Sequence, residues 1–140
     1  AYAGIVDLRR RLPGPGVEQD AAELFRRLVF NVLIGNTDDH GRNHGFLMDV
    51  KGRWRLSPAF DVLTTFTAHD TQALGAGPHG RERSIANVLA GAASFAINQT
   101  QARSIVDKMK RKIDRKLEAL LDQAGLQEAE RRAVLARVLV

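Results

Sequence analysis

The chain has 140 residues, 44% of them hydrophobic, which is material for one ordinary core and too little for two, so a single domain spanning 1–140 is expected. Lys and Arg number 21 against 16 acids, and the surplus sits in residues 101–140, where ten bases face six acids, while residues 1–70 carry nine of each sign. The lack of cysteine excludes disulfide frames, Cys-ligated zinc and thiol chemistry; with no apolar run near the roughly 18 residues of a membrane helix and no secretion signal after Ala1, a cytoplasmic chain without membrane contact is expected.

Residues 2–12 read as a short helix ending in Arg9, Arg10 and Arg11, closed by the breaker Pro13-Gly14-Pro15-Gly16. From Val17 to Ile34 apolar residues fall at 21, 24, 25, 28, 29, 32 and 33, the spacing of a helix with a wide buried face. Gly35 suits the left-handed position after its end, so the polar stretch Asn36 to His44 starts where the rigid helix stops. Phe46-Leu47-Met48 and Arg53-Trp54-Arg55-Leu56 flank Asp49-Val50-Lys51-Gly52 and predict a small hairpin, closed by Ser57-Pro58. Residues 67–83 are polar and glycine-rich and read as a long loop. Ser84 is placed to cap a helix over 85–97, Thr100 to cap the longest helix, which runs to Gly125, and a last helix is expected over 127–139. The class is therefore mainly α with one hairpin.

The informative stretch is Asn36-Thr37-Asp38-Asp39-His40-Gly41-Arg42-Asn43, followed beyond the hairpin by Pro58-Ala59-Phe60-Asp61. It puts two carboxylates, an imidazole and two amides on a loop held by a buried helix and a strand, the kind of place where catalytic groups concentrate. Protein kinases use an Asp near the acceptor hydroxyl, an Asn five positions on for one Mg²⁺, and a second metal-binding Asp beyond a hairpin. Asp38 and Asn43 have that spacing, and Asp61 lies where the second Asp belongs. Phe60 is expected to pack its ring inward and fix the strand exit. Asp39 reads as a solvated neighbour or a brace of the loop.

Residues 24–65, and N-T-D-D-H-G-R-N with L-S-P-A-F-D above all, resemble the C-terminal kinase domain of the HipA-like toxin serine/threonine kinases. The resemblance implies a helical C-terminal kinase lobe in which Asp38 corresponds to the catalytic Asp, and Asn43 and Asp61 to the Mg²⁺-binding pair. His40 matches the family's loop histidine and joins Asn43 and Asp61 as a cofactor-binding candidate. Mg²⁺ and ATP are the implied cofactors. A toxin–antitoxin setting, a DNA-binding antitoxin as partner with DNA contacted only through it, and a protein substrate, for some relatives an aminoacyl-tRNA synthetase, are implied too. The 35 residues before Asn36 hold neither a Gly-rich phosphate loop nor a strand Lys, so the nucleotide-covering lobe is expected to lie outside this chain and the chain alone to be inactive.

Two rival readings stand beside this one. A non-catalytic basic helical module could bind an antitoxin or nucleic acid through Lys108, Lys110, Arg111, Lys112, Arg115 and Lys116, although Asp107, Asp114 and Glu118 interleave with them and no aromatic residue is there to stack on bases. A metal-dependent hydrolase could use His40 and His44 as ligands, which Gly41 and a loop conformation disfavour.

Overall fold

The computed structural model describes residues 1–65 and 70–139 and is 55% helical, with five α-helices and one antiparallel hairpin. In order these are α1 (Tyr2–Arg11), α2 (Val17–Ile34), β1 (Phe46–Met48), β2 (Trp54–Leu56), α3 (Ile85–Ala90), α4 (Gln99–Gln123) and α5 (Glu128–Leu135), with 3-10 turns at Gly41–Asn43 and Ala92–Phe95. The mainly-α class with one small hairpin holds. Among the described residues no helix is long and apolar enough to cross a membrane.

Helix α2 is the axis of the core. Its predicted stripe, Ala21, Leu24, Phe25, Leu28, Val29, Val32 and Leu33, is buried throughout, against Tyr2 and Val6 of α1, Val88 of α3, Phe95, and Ala102 and Val106 of α4. The rings of Phe25 and Phe95 meet edge to face at 5.3 Å. At its C-terminal end Gly35 takes a φ of +76°, and the N–H of Asn36 closes back onto the carbonyl of Asn31 at 2.9 Å. That Schellman closure needs a left-handed residue, and it delivers the chain into the polar stretch from a fixed point.

The hairpin pairs Phe46 with Leu56, Leu47 with Arg55 and Met48 with Trp54. In its turn the Asp49 carboxylate accepts from the N–H groups of Lys51 and Arg53 and from the Arg53 side chain, which holds its pKa below the usual carboxylate value. One buried carboxylate fastens this hairpin to the helices. Asp20 of α2 accepts from Arg9 Nε of α1 at 2.6 Å, from Arg55 Nε and Nη2 of β2, each at 3.2 Å, and from the Leu56 N–H at 3.2 Å. Arg9 is fully buried and donates onward to the carbonyls of Leu12 and Pro15, so it also shapes the 13–16 breaker.

Three boundaries differ from the sequence reading. The helix expected over 85–97 stops at Ala90; the chain tightens from Gly91 into a 3-10 turn over Ala92–Phe95 and ends at a left-handed Ala96, and at Gly91, which packs on Gly77, a side chain would meet the Gly77 α-carbon at 3.1 Å. Helix α4 is capped by Asn98, not Thr100, through a reciprocal box with Gln101. Helix α5 spans Glu128–Leu135, shorter than 127–139, and the N–H of Leu139 bonds the Leu33 carbonyl at 2.8 Å. Of the predicted loop 67–83, residues 67–69 lie outside the described residues. The remainder is organised by bridges between Thr71 and Glu82 and between Gly77 and Gly80, and by Asn87, whose side chain bonds His79, Gly80 and Glu82.

Candidate functional site

The loop leaving α2 alternates between anchored and free side chains. Asn36, Thr37 and Asp39 are buried, whereas Asp38 between them is exposed. Thr37 is tied to Thr65: its N–H donates to Thr65 Oγ1 at 3.1 Å, the two hydroxyl oxygens are 2.6 Å apart, and Thr65 Oγ1 donates to the Gly35 carbonyl at 2.7 Å. The segment four residues past Asp61 is thereby stitched to the backbone one residue before Asp38. Asn36 donates to Asn31 Oδ1 at 3.1 Å, and Asn31 donates to the Tyr2 hydroxyl at 3.2 Å.

Tyr2 in turn donates to Asp39 Oδ2. The other carboxylate oxygen, Oδ1, faces His44 Nε2 at 3.0 Å, within ion-pair reach though outside hydrogen-bond alignment, and the Tyr2 and His44 rings meet edge to face at 5.0 Å. Asp39 is therefore a brace and not a solvated neighbour, which settles the choice the sequence left open. Burial first, and then the Asp39 charge and hydrogen bond, push the Tyr2 hydroxyl well above the ordinary tyrosine value. Because Tyr2 is the chain's single tyrosine, tyrosinate absorbance in a pH titration reads it alone. It is expected to appear near pH 10 in denaturant and only at clearly higher pH in the folded chain; coincident curves would contradict the buried hydrogen bond. Since the folded pKa is the raised one, the stability from this proton is complete below about pH 10 and is lost as pH climbs through the folded value.

Asn43 ends the 3-10 turn, its N–H bonded to the His40 carbonyl at 3.0 Å. It is 6% exposed, and its side chain enters no hydrogen bond among the described residues. Asp38 and Asp61 likewise enter no hydrogen bond or ion pair there. Asp61 is exposed and takes a φ of +54°, a left-handed conformation that Asp tolerates better than most non-glycine residues. His40 is half-buried, with Nδ1 buried and unpartnered among the described residues.

Both motif halves meet in one cleft of about 370 Å³, whose lining includes Asp39, Asn43 and His44 from the loop and Ala59, Phe60 and Val62 from the second half. The second half is held by Arg27 of α2, whose Nη2 donates to the Ser57 carbonyl at 2.6 Å, and by the Ser57 N–H on the Gly45 carbonyl at 2.8 Å. Phe60 does not pack inward as expected: it is 47% exposed and lines the cleft, so the strand exit is fixed by Arg27 and Gly45 and not by an inward ring. His44, the second imidazole of the hydrolase reading, is turned toward Asp39, and among the described residues no group of three His, Asp or Glu side chains is arranged to hold a metal. Five of the six bases of the 108–116 run lie exposed along α4, interleaved with exposed Asp107 and Asp114, as on an ordinary solvated face.

A family model described as the HipA-like C-terminal domain matches residues 1–117. The chain belongs to that family. Among its relatives is "Putative kinase Y4dM" of Sinorhizobium fredii (strain NBRC 101917 / NGR234), 45% identical over 58 residues, which are 39% of this chain and 14% of the relative. "Putative kinase Y4mE" of the same organism is 35% identical over 51 residues, 36% of this chain and 12% of the relative. These stretches are thus a small part of the relatives' length. The family match includes α1, and so Tyr2, which the sequence alone did not connect with the site; neither Tyr2 nor Asn31 stands in a local pattern that points to the loop. The exposure of Asp38 beside the burial of Asp39 could not be read from two adjacent identical residues.

Proposed function

We propose that this HipA-like domain is the catalytic lobe of a serine/threonine protein kinase that transfers phosphate from Mg²⁺-ATP to a protein hydroxyl. The observation that carries the reading is a contrast between the loop and the segment beyond the hairpin: Thr37 and Asp39 are tied by hydrogen bonds, while Asp38, Asn43 and Asp61 enter none among the described residues, with Asn43 and the neighbours of Asp61, though not Asp38 or Asp61 themselves, lining one cleft. A rigid frame presenting free oxygen donors suits chemistry that is mostly positioning and electrostatics.

The donor set fits the implied group. Mg²⁺ takes hard oxygen ligands and is held by one or two carboxylates plus phosphates, and the Asp61 carboxylate and the Asn43 amide oxygen are such ligands. Bound Mg²⁺-ATP would supply the phosphoryl group and neutralise the charge that builds on it. Asp38 would orient the acceptor hydroxyl and take its proton on the exposed carboxylate. His40, with a buried Nδ1, would border the nucleotide. The wider setting that the family suggests is part of the same proposal: a cytoplasmic toxin, restrained by a DNA-binding antitoxin, with a protein substrate such as an aminoacyl-tRNA synthetase.

The test is transfer of labelled γ-phosphate to Ser or Thr of a protein acceptor by a full-length protein carrying this chain. Transfer that requires Mg²⁺ is expected, and the 140-residue chain alone, which holds no Gly-rich phosphate loop and strand Lys, should transfer almost none. A full-length protein that transfers no phosphate to protein under any condition would overturn the proposal.

A further inference from the structure

We propose that Asp39 is a positioning residue: clasped between the Tyr2 hydroxyl of α1 and His44, it closes the loop at its base and fixes the spread between Asp38 and Asn43. The proposal rests on the phosphotransfer reading for what that spread is used for.

The geometry is one of adjacency. Asp39 follows Asp38, and His44 follows Asn43, so the two residues that face each other are the covalent neighbours of the two that stay free. Consecutive α-carbons are about 3.8 Å apart, which leaves the free pair little room to move once the facing pair is locked. His44 Nε2 stands 3.0 Å from Oδ1 without hydrogen-bond alignment, so the directed bond that holds Asp39 is the one from Tyr2, and Asp39 is 4% exposed. A carboxylate buried this deeply is tolerated only with partners, so the clasp is held closed by the desolvation its opening would leave unpaired. Tyr2 adds a second anchor from another helix, and Asn31 and Asn36 carry the same chain of hydrogen bonds to the loop's first residue. Inside the clasp the 3-10 turn Gly41–Asn43 takes up the remaining chain with its own backbone bond. Asp39 is not placed as a second base, because one of its oxygens accepts from Tyr2 and the other faces His44.

Two measurements test this. In the full-length protein, Asp39→Asn is expected to lower kcat by about 10²-fold, the scale of a displacement near 1 Å, with KM for Mg²⁺-ATP and for the acceptor nearly unchanged. Tyr2→Phe, which removes one anchor and keeps the ring, should lower it less. In the 140-residue chain, hydrogen exchange of the amides of residues 37–44 should quicken by about tenfold in Asp39→Asn while those of α2 and α4 keep wild-type protection. A purely structural role would instead lower the folded fraction, leave kcat per folded molecule alone and speed exchange throughout; that pattern, wild-type kcat, or unchanged exchange in 37–44 would each overturn the proposal. If the wild type and Asp38→Asn proved equally inactive, the phosphotransfer reading would fall, and the exchange measurement would still decide whether Asp39 holds the loop.

Discussion

Asp38→Asn in the full-length protein is expected to remove most phosphotransfer while leaving the fold intact. A positioned general base contributes roughly 10²–10⁴-fold, and the Asn side chain keeps the shape of Asp without its proton affinity. Structurally the change should be quiet, because Asp38 is exposed and enters no hydrogen bond or ion pair among the described residues, whereas its neighbours on both sides are buried. Steady-state turnover with helical circular dichroism as the control checks this. Near wild-type turnover would remove Asp38 from the proposed mechanism, and loss of the helical signal would show that it serves the fold.

The largest effect on stability is expected at Asp20. Its carboxylate is buried and takes donors from α1, from β2 and from the Leu56 backbone, and its partner Arg9 is entirely buried. Asp20→Ala would strand the Arg9 guanidinium without its charge partner, a change that costs about 3–5 kcal/mol when a buried pair is broken on one side. Native domains hold only about 5–15 kcal/mol in all, so the loss is a large fraction of the total and should lower the urea midpoint clearly. The Arg55 contact adds less, since that side chain is half exposed and screened by solvent. Urea unfolding followed by circular dichroism measures the loss. Arg53→Ala, which breaks the exposed Asp49–Arg53 pair, should hardly move the midpoint. Equal shifts in the two variants would contradict the assignment of the fastening to Asp20.

Much of this architecture is legible in the residues, for reasons that also mark where legibility ends. The α2 stripe and the hairpin register follow from local periodicity and a turn ending in Gly52, so they read directly. The break at Gly91 does not, because Ala90-Gly91-Ala92-Ala93 is helix-compatible by itself, and the packing of Gly91 on the 76–77 backbone joins segments apart in sequence. Asn98 and Gln101 did carry a capping-box signal, which Thr100 two residues later obscured. At the site, the spacing of Asp38, Asn43 and Asp61 is a sequence property. The brace beneath them is not: Tyr2 reaches Asp39 across 37 residues, and Thr65 reaches Thr37 across 28.

In the proposed mechanism Asp61 and Asn43 hold the metal–nucleotide while Asp38 acts on the hydroxyl, and calorimetric titration of Mg²⁺-ATP into full-length variants tests this division most directly. With so few carboxylates on the ion, Asp61→Ala should weaken binding clearly and Asn43→Ala more mildly, because a neutral amide is a lesser loss than a charge. Asp38→Asn should bind nearly as the wild type does, its defect confined to turnover. Equal affinities for wild type and Asp61→Ala would contradict the account, since the second half of the motif would then have no part in holding the nucleotide.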